Sequence, residues 1–194
     1  MPAFLVLVGL VWLVPAVAGA ADVGISARKL VVKDYLAATG KARVKFLARS
    51  HPGITKGGGT DPTMIAAELE VSYVDGSVSG SFLMPSGAGW IVNNTRVAQY
   101  VNAGAPAGGS VKVGIVRSVK RLQLYARSLG DDPIDILTPG APGPGGVRTV
   151  YTVDNGGEIT RHCTIFTGCA YKVIERNGSN AKLTCRDGTP AACP

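Results

Sequence analysis

A mainly β protein, an antiparallel sandwich or distorted barrel with one short helix, is the fold class this sequence predicts, and three observations predict it. Short runs of alternating apolar and polar residues recur along the chain after residue 20, the pattern of strands with one buried and one wet face. Clusters of Gly, Pro, Asn and Asp separate these runs at turn-length intervals. Hydrophobic residues make up 46% of the 194 positions and charged ones only 17%. That balance suits a packed core and is poor in charge for a coiled coil or a cytosolic enzyme. The 26 Gly and 12 Pro stay below the share expected of a disordered chain.

The chain opens on an uncharged apolar stretch, residues 3–18, followed by Ala18-Gly19-Ala20, a small-x-small cleavage site of the secretory type. At about sixteen residues with Pro15 near its end, the stretch is short of the ~20 that a spanning helix needs. The expected organisation is therefore a signal peptide over residues 1–20 and a single β-rich secreted domain over residues 21–194. It departs from the usual signal in having no Lys or Arg ahead of the apolar run. The first Cys is Cys163, so no lipid-anchoring Cys follows the cleavage point.

Within the mature chain, alternation predicts strands over residues 29–35 and 42–49; in the second, Val44, Phe46 and Ala48 share one face and Arg43, Lys45 and Arg49 the other. Residues 110–117 and 120–127 repeat the pattern. Three hairpins follow from turn chemistry, because Asp-Gly and Asn-Gly tolerate the positive φ angles of tight turns. They join 70–73 to 78–83 through Asp75-Gly76, 148–153 to 158–163 through Asn155-Gly156, and 171–176 to 181–185 through Asn177-Gly178. Residues 90–92 read as a further strand. Val97, Tyr100 and Val101 stand at helical spacing, so one short helix is expected over residues 95–102, with Asn93 or Asn94 as its cap. Residues 51–62, 104–109 and 131–146 are too rich in Gly and Pro for strands. The last is the best candidate subdomain boundary, although the 48 residues beyond it are marginal alone and are expected to join the larger sheet.

Motifs that carry chemistry are sparse. Gly76-Ser77-Val78-Ser79-Gly80 has the wrong spacing for a nucleophile elbow and lies in a hairpin. Lys56-Gly57-Gly58-Gly59-Thr60 has its Lys ahead of the glycines and no helix after them, so it reads as a mobile loop rather than a phosphate cradle. Cys163, Cys169, Cys185 and Cys193 contain no Cys-x2-Cys knuckle, which favours two disulfides over a metal; no cofactor is expected. Short loops favour Cys163–Cys169 with Cys185–Cys193. The rival, Cys163–Cys185 with Cys169–Cys193, gains if residues 158–163 and 181–185 are neighbouring strands. His51 and His162 read as surface or loop residues. Glu68 and Glu70, two apart on one strand, are the carboxylates an extracellular polymer hydrolase would use. Trp90 and the scattered Tyr residues read as core or sheet-face side chains.

Charge is the one feature with a direction. The net charge is +7, and residues 21–60 hold eight Lys and Arg against two Asp. Lys29, Lys33, Arg43, Lys45 and Arg49 fall on the wet sides of the first two long strands. Such a face attracts polyanions: lipopolysaccharide, acidic exopolysaccharide or nucleic acid without sequence preference. The plainer reading is an edge strand kept soluble by its lysines.

The stretch Thr152-Val153-Asp154-Asn155-Gly156-Gly157, with Arg161-His162-Cys163, Gly168-Cys169 and Lys182-Leu183-Thr184-Cys185, resembles the C-terminus of certain secreted bacterial proteins with no assigned function. Arg28-Lys29-Leu30 and Pro52-Gly53-Ile54-Thr55 are similar upstream. The resemblance implies export and disulfides and carries no activity. The functional expectation is a non-enzymatic exported protein, structural or polymer-binding, at the cell envelope or outside the cell, partnered by acidic polysaccharide or another polyanion, with no specific nucleic acid and no membrane span after cleavage. The alternative is a hydrolase of extracellular polymer acting through carboxylates.

Overall fold

A computed structural model describes residues 20–35, 41–104, 111–129, 134–136, 140–174 and 180–194. The expected signal segment before residue 20 and the centres of the 104–109 and 177–180 turns lie outside the described residues. Among the described residues, thirteen strands form one continuous sheet: β1 Ala21–Gly24, β2 Ala27–Tyr35, β3 Lys41–Ala48, β4 Ile65–Tyr73, β5 Ser79–Met84, β6 Trp90–Asn94, β7 Val97–Val101, β8 Val111–Arg117, β9 Arg121–Leu129, β10 Val147–Asn155, β11 Glu158–Phe166, β12 Cys169–Val173 and β13 Ala181–Pro190. Their spatial order is β5-β4-β10-β11-β13-β2-β3-β9-β8-β7-β6, with β1 attached to β11 and β12 to β13. Neighbours run antiparallel except β1, which lies parallel to β11.

Alternation decides which face goes inside. On β4 the residues Ile65, Ala67, Leu69, Val71 and Tyr73 are buried, and on β3 Val44 and Phe46 are fully so. The sheet curls until these inner faces meet. Phe46 of β3 lies 6.2 Å from the ring of Tyr151 on β10, and the Tyr151 hydroxyl reaches Met84 Sδ of β5. Met84 in turn fills the space over Gly114 of β8, where a Cβ would collide with its sulfur. The result is a half-barrel-like sandwich around one apolar cluster.

The expected hairpin turns are present where they are described. Gly156 and Gly157 join β10 to β11 at φ 68° and 97°, angles that side chains with a Cβ resist. The strands beyond the Gly/Pro-rich stretch stand at the middle of the sheet, with β10, β11 and β13 between β4 and β2. The stretch itself contributes Ile134 and Ile136, both fully buried. Ile136 donates its N–H to the buried carboxylate of Asp34.

Two local expectations are corrected. Residues 95–102 form no helix: Asn94 Oδ1 accepts from the N–H groups of Arg96 and Val97, which makes a turn, and β7 then pairs with β6 and β8. Ala98 and Tyr100 are buried at a period of two, and Tyr100 packs edge-on against Trp90. Sheet pairing overrides the helical spacing of Val97, Tyr100 and Val101. The short helix present is a single 3-10 turn over Pro62–Met64, capped by Asp61.

The disulfides follow neither expected pairing; they are Cys163–Cys193 and Cys169–Cys185. Cys169 of β12 is directly opposite Cys185 of β13, with Cα atoms 4.1 Å apart, on the row that packs on the core. Cys163 belongs to the opposite face of β11, whose inner row is Thr160, His162, Thr164 and Phe166. A bond from Cys163 to Cys169 or Cys185 would have to pass through the sheet. β11 meets β13 only at Thr164↔Pro190 and Ile165↔Thr189, which lays the tail across Cys163. Ala191 donates to the Cys163 carbonyl, and Cys193, two residues on, closes the bond.

Candidate functional site

The outer face of β12, β13, β2, β3 and β9 gathers the positive charge. Four of these strands bury one row of apolar side chains: Ala181, Leu183 and Cys185 on β13, Leu30 and Val32 on β2, Val44 and Phe46 on β3, and Leu122, Leu124 and Ala126 on β9. The intervening residues must then face solvent. The pairing register aligns them. Lys172 is opposite Lys182, Lys182 opposite Lys33, Lys33 opposite Arg43 and Arg43 opposite Arg127. Five cations on five successive strands thus form one row across the sheet, spanning about 19 Å at the usual strand spacing of ~4.8 Å.

Lys45 and Tyr125 flank this row on one side, and Lys29 with Arg186 lies one further step along the strands. With Lys182, Lys33 and Arg43, the middle of the row, these four line a shallow groove of about 340 Å³ whose described lining contains no carboxylate; Lys172 and Arg127 are not part of that lining. A second groove of the same volume continues it through Arg28 and Arg49 to Asp187. Among the described residues the ion pairs are Arg49–Asp187 and Arg161–Asp22, and neither belongs to the row. Arg127 Nε donates to the Tyr125 hydroxyl at 3.3 Å, and its guanidinium lies 5.8 Å from the ring centre. That hydrogen bond, together with the charges of Arg127, Arg43 and Lys112, holds the Tyr125 phenol below its ordinary pKa. A phenol more easily ionised is what a positive local potential produces.

All five basic residues expected from the sequence lie on this face. Lys29, Lys33, Arg43 and Lys45 line the groove, while Arg49 stands at its margin, exposed and paired with Asp187. Sequence reasoning missed Lys172, Lys182, Arg186, Arg127 and Tyr125. Alternation in 181–186 and 122–127 marks Lys182, Arg186, Arg127 and Tyr125 as outward-facing; that β13 and β9 flank β2 and β3, and that β12 brings Lys172 beside β13, is the part no local pattern contains.

The other candidate groups lie elsewhere. Glu68 and Glu70 share the outer side of β4, as their spacing requires. Glu68 accepts from the Ser81 hydroxyl of β5, and Glu70 is exposed in a shallow groove of about 230 Å³ with Ser72, Ser79 and Ser81. His162 corrects the expectation of a surface or loop residue: it is fully buried on the inner row of β11. Its Nδ1 lies 3.1 Å from the Tyr151 carbonyl and its Nε2 3.3 Å from that of Gly53. Burial lowers its pKa, opposed by these two carbonyls.

The Lys56 segment packs against the sheet and does not stand out in solvent. Ile54 and Lys56 are fully buried, and Lys56 Nζ donates to the carbonyls of Gly57 and Gly59. Desolvation lowers the Lys56 pKa against the opposing charge of Glu158. Trp90 is a core residue whose indole N–H donates to the Pro85 carbonyl. Among the described residues, no group of three or more His, Cys, Asp or Glu is placed to hold a metal. No described helix is long and apolar enough to cross a membrane.

The architecture and this face define a β-rich domain with C-terminal disulfides and a cationic outer sheet surface. Comparison with protein-family models, with curated proteins and with solved structures finds no match to the chain.

Proposed function

We propose that this protein is a non-enzymatic exported binding protein, acting in the periplasm or outside the cell, whose cationic sheet face holds an acidic polysaccharide. One observation carries the reading: the row Lys172, Lys182, Lys33, Arg43 and Arg127, built by register from five strands. Like charges directly opposite on a sheet cost stability, and here four such pairs stand side by side without ion-pair partners among the described residues. Keeping an edge soluble needs no such row, because β2, β3 and β13 are interior strands of the sheet. An anionic polymer laid on the row relieves every pair at once.

What supports export is the uncharged apolar run over residues 3–18 followed by the small-x-small Ala18-Gly19-Ala20. Two disulfides agree with an oxidising compartment. Residues 21–194 act as the single binding unit.

The mature protein is expected to be retained on a heparin-like matrix and to elute with rising salt, as screened electrostatic contacts do. Replacing Lys33, Arg43 and Lys45 with Glu should abolish retention. Co-elution of this variant with the parent would overturn the reading.

A further inference from the structure

We propose that the ligand is a linear polyuronate, carrying one carboxylate per sugar ring, and that it lies across the strands with one ring on each. This rests on the polyanion reading above and adds direction, length and chemical class.

Direction follows from which line of positive charge is unbroken. Along β2 the outward residues are Lys29, Val31 and Lys33; along β13 they are Lys182, Thr184 and Arg186. A neutral residue separates the cations on each, so charge recurs only at every second outward position, about 13 Å apart. Across the strands it recurs at every step, from Lys172 through Lys182, Lys33 and Arg43 to Arg127. On β3 the outward Arg43 and Lys45 are neighbours, but Leu47 breaks that line before Arg49. Along these three strands a polymer therefore meets at most two adjacent described cations; one lying across meets a charge on every strand.

Chemical class follows from the repeat and from what flanks it. Charges recurring at about 4.8 Å, the strand spacing, match a chain with one anion per pyranose ring. Val31 and Thr184 lie beside the row, an apolar surface and a hydroxyl suited to a ring face and its alcohol groups. Single-stranded nucleic acid is held by a series of aromatic side chains on which bases stack. The groove lining offers one ring, Tyr125, with its hydroxyl engaged by Arg127. Length follows from the count of strands: five rings fill the row.

The test is calorimetric titration of the mature protein with oligouronates of two to eight rings at fixed low salt. Long polyuronate, heparin, polyphosphate and duplex DNA of matched charge run alongside. Affinity should rise about threefold or more with each ring, the scale of one partly screened charge contact, and level off once five rings are bound. The double variant Lys172→Gln/Arg127→Gln, which removes only the ends of the row, should move the plateau to three rings and lower trimer affinity by no more than about threefold, the loss of two of its three placements, while five-ring affinity falls about ninefold or more. A plateau at two rings, or end variants that weaken the trimer equally, would overturn the crosswise arrangement. DNA or polyphosphate binding as tightly as long polyuronate would overturn the chemical class and leave polyanion binding standing. Failure to bind any of these polymers would overturn both readings.

Discussion

Lys182 and Lys33 stand directly opposite each other across β13 and β2 on the outer face of the sheet. Neither has an ion-pair partner among the described residues. Two ammonium groups at this separation repel, weakly in water but without relief from within the groove, whose described lining carries no carboxylate. The fold places a cost where the proposed ligand offsets it.

The variant Lys33→Gln should therefore separate stability from binding. Removing the central cation relieves opposition to both Lys182 and Arg43 and is expected to raise stability by roughly 0.2–1 kcal/mol. Thermal unfolding at low ionic strength measures this, and the advantage should shrink with added salt as screening does the same work in the parent. Retention on a polyanion matrix should fall in the same variant. A lower melting temperature at low salt would contradict the argument.

The disulfide pattern makes a second prediction. Non-reducing digestion should yield cross-linked peptides joining Cys163 to Cys193 and Cys169 to Cys185. Replacing Cys169 and Cys185 by Ala opens a loop of sequence separation 16 and should cost about 3 kcal/mol in denaturant unfolding on the chain-entropy account. A cross-link from Cys163 to Cys169 would refute the assignment.

His162 gives the fold a mild acid sensitivity. Its folded pKa lies below the ordinary value of 6.5 because burial disfavours the imidazolium, so the unfolded chain binds more protons between the two values. Stability from this group is complete above about pH 6.5 and declines as pH falls towards the folded pKa. Chemical denaturation at pH 7.5 and 5 should show the decline, and His162→Gln should lack that component. A parent equally stable at both values would contradict the burial argument. The Asp22–Arg161 pair acts in a separate, more acidic window, since Asp22 is held below its usual pKa by the Arg161 hydrogen bond.

Val119 sits at φ 65°, in the left-handed region that a β-branched side chain resists, in the turn between β8 and β9. Its N–H donates to the Ile54 carbonyl, while its own carbonyl accepts from the His51 N–H. These bonds tie residues 51–54 to the turn. Because the side chain is half exposed, Val119→Asn keeps the backbone bonds and removes the strain. It should stabilise the protein by about 1 kcal/mol. A lower melting temperature would show that the valine side chain contributes packing that offsets its backbone conformation.

Strand placement was legible because alternation is local: Val44, Phe46 and Ala48 against Arg43 and Lys45 reads directly as an inner and an outer face. The Asp75-Gly76 and Asn155-Gly156 turns were legible for the same reason. The helix expected at 95–102 was not a strand by any local sign, since Tyr100 finds its place against Trp90 only once β6 and β7 pair. Partner choice is non-local, and so the disulfides escaped: Cys169 meets Cys185 by register, and Cys163 meets Cys193 because the tail crosses β11. The same limit halved the site. Lys29, Lys33, Arg43 and Lys45 come from two strands adjacent in sequence. Lys172, Lys182 and Arg127 reach the row through pairings that β12, β13 and β9 make far along the chain.

The most direct test of the cationic face is to map where an anionic polymer touches the protein. Backbone amide resonances of the isotopically labelled mature protein should be followed while a six-ring oligouronate is added. The account predicts shifts concentrated on β12, β13, β2, β3 and β9, strongest at Lys182, Lys33 and Arg43 and absent from β4. Shifts centred on Glu68 and Glu70, or none at saturating ligand, would contradict it.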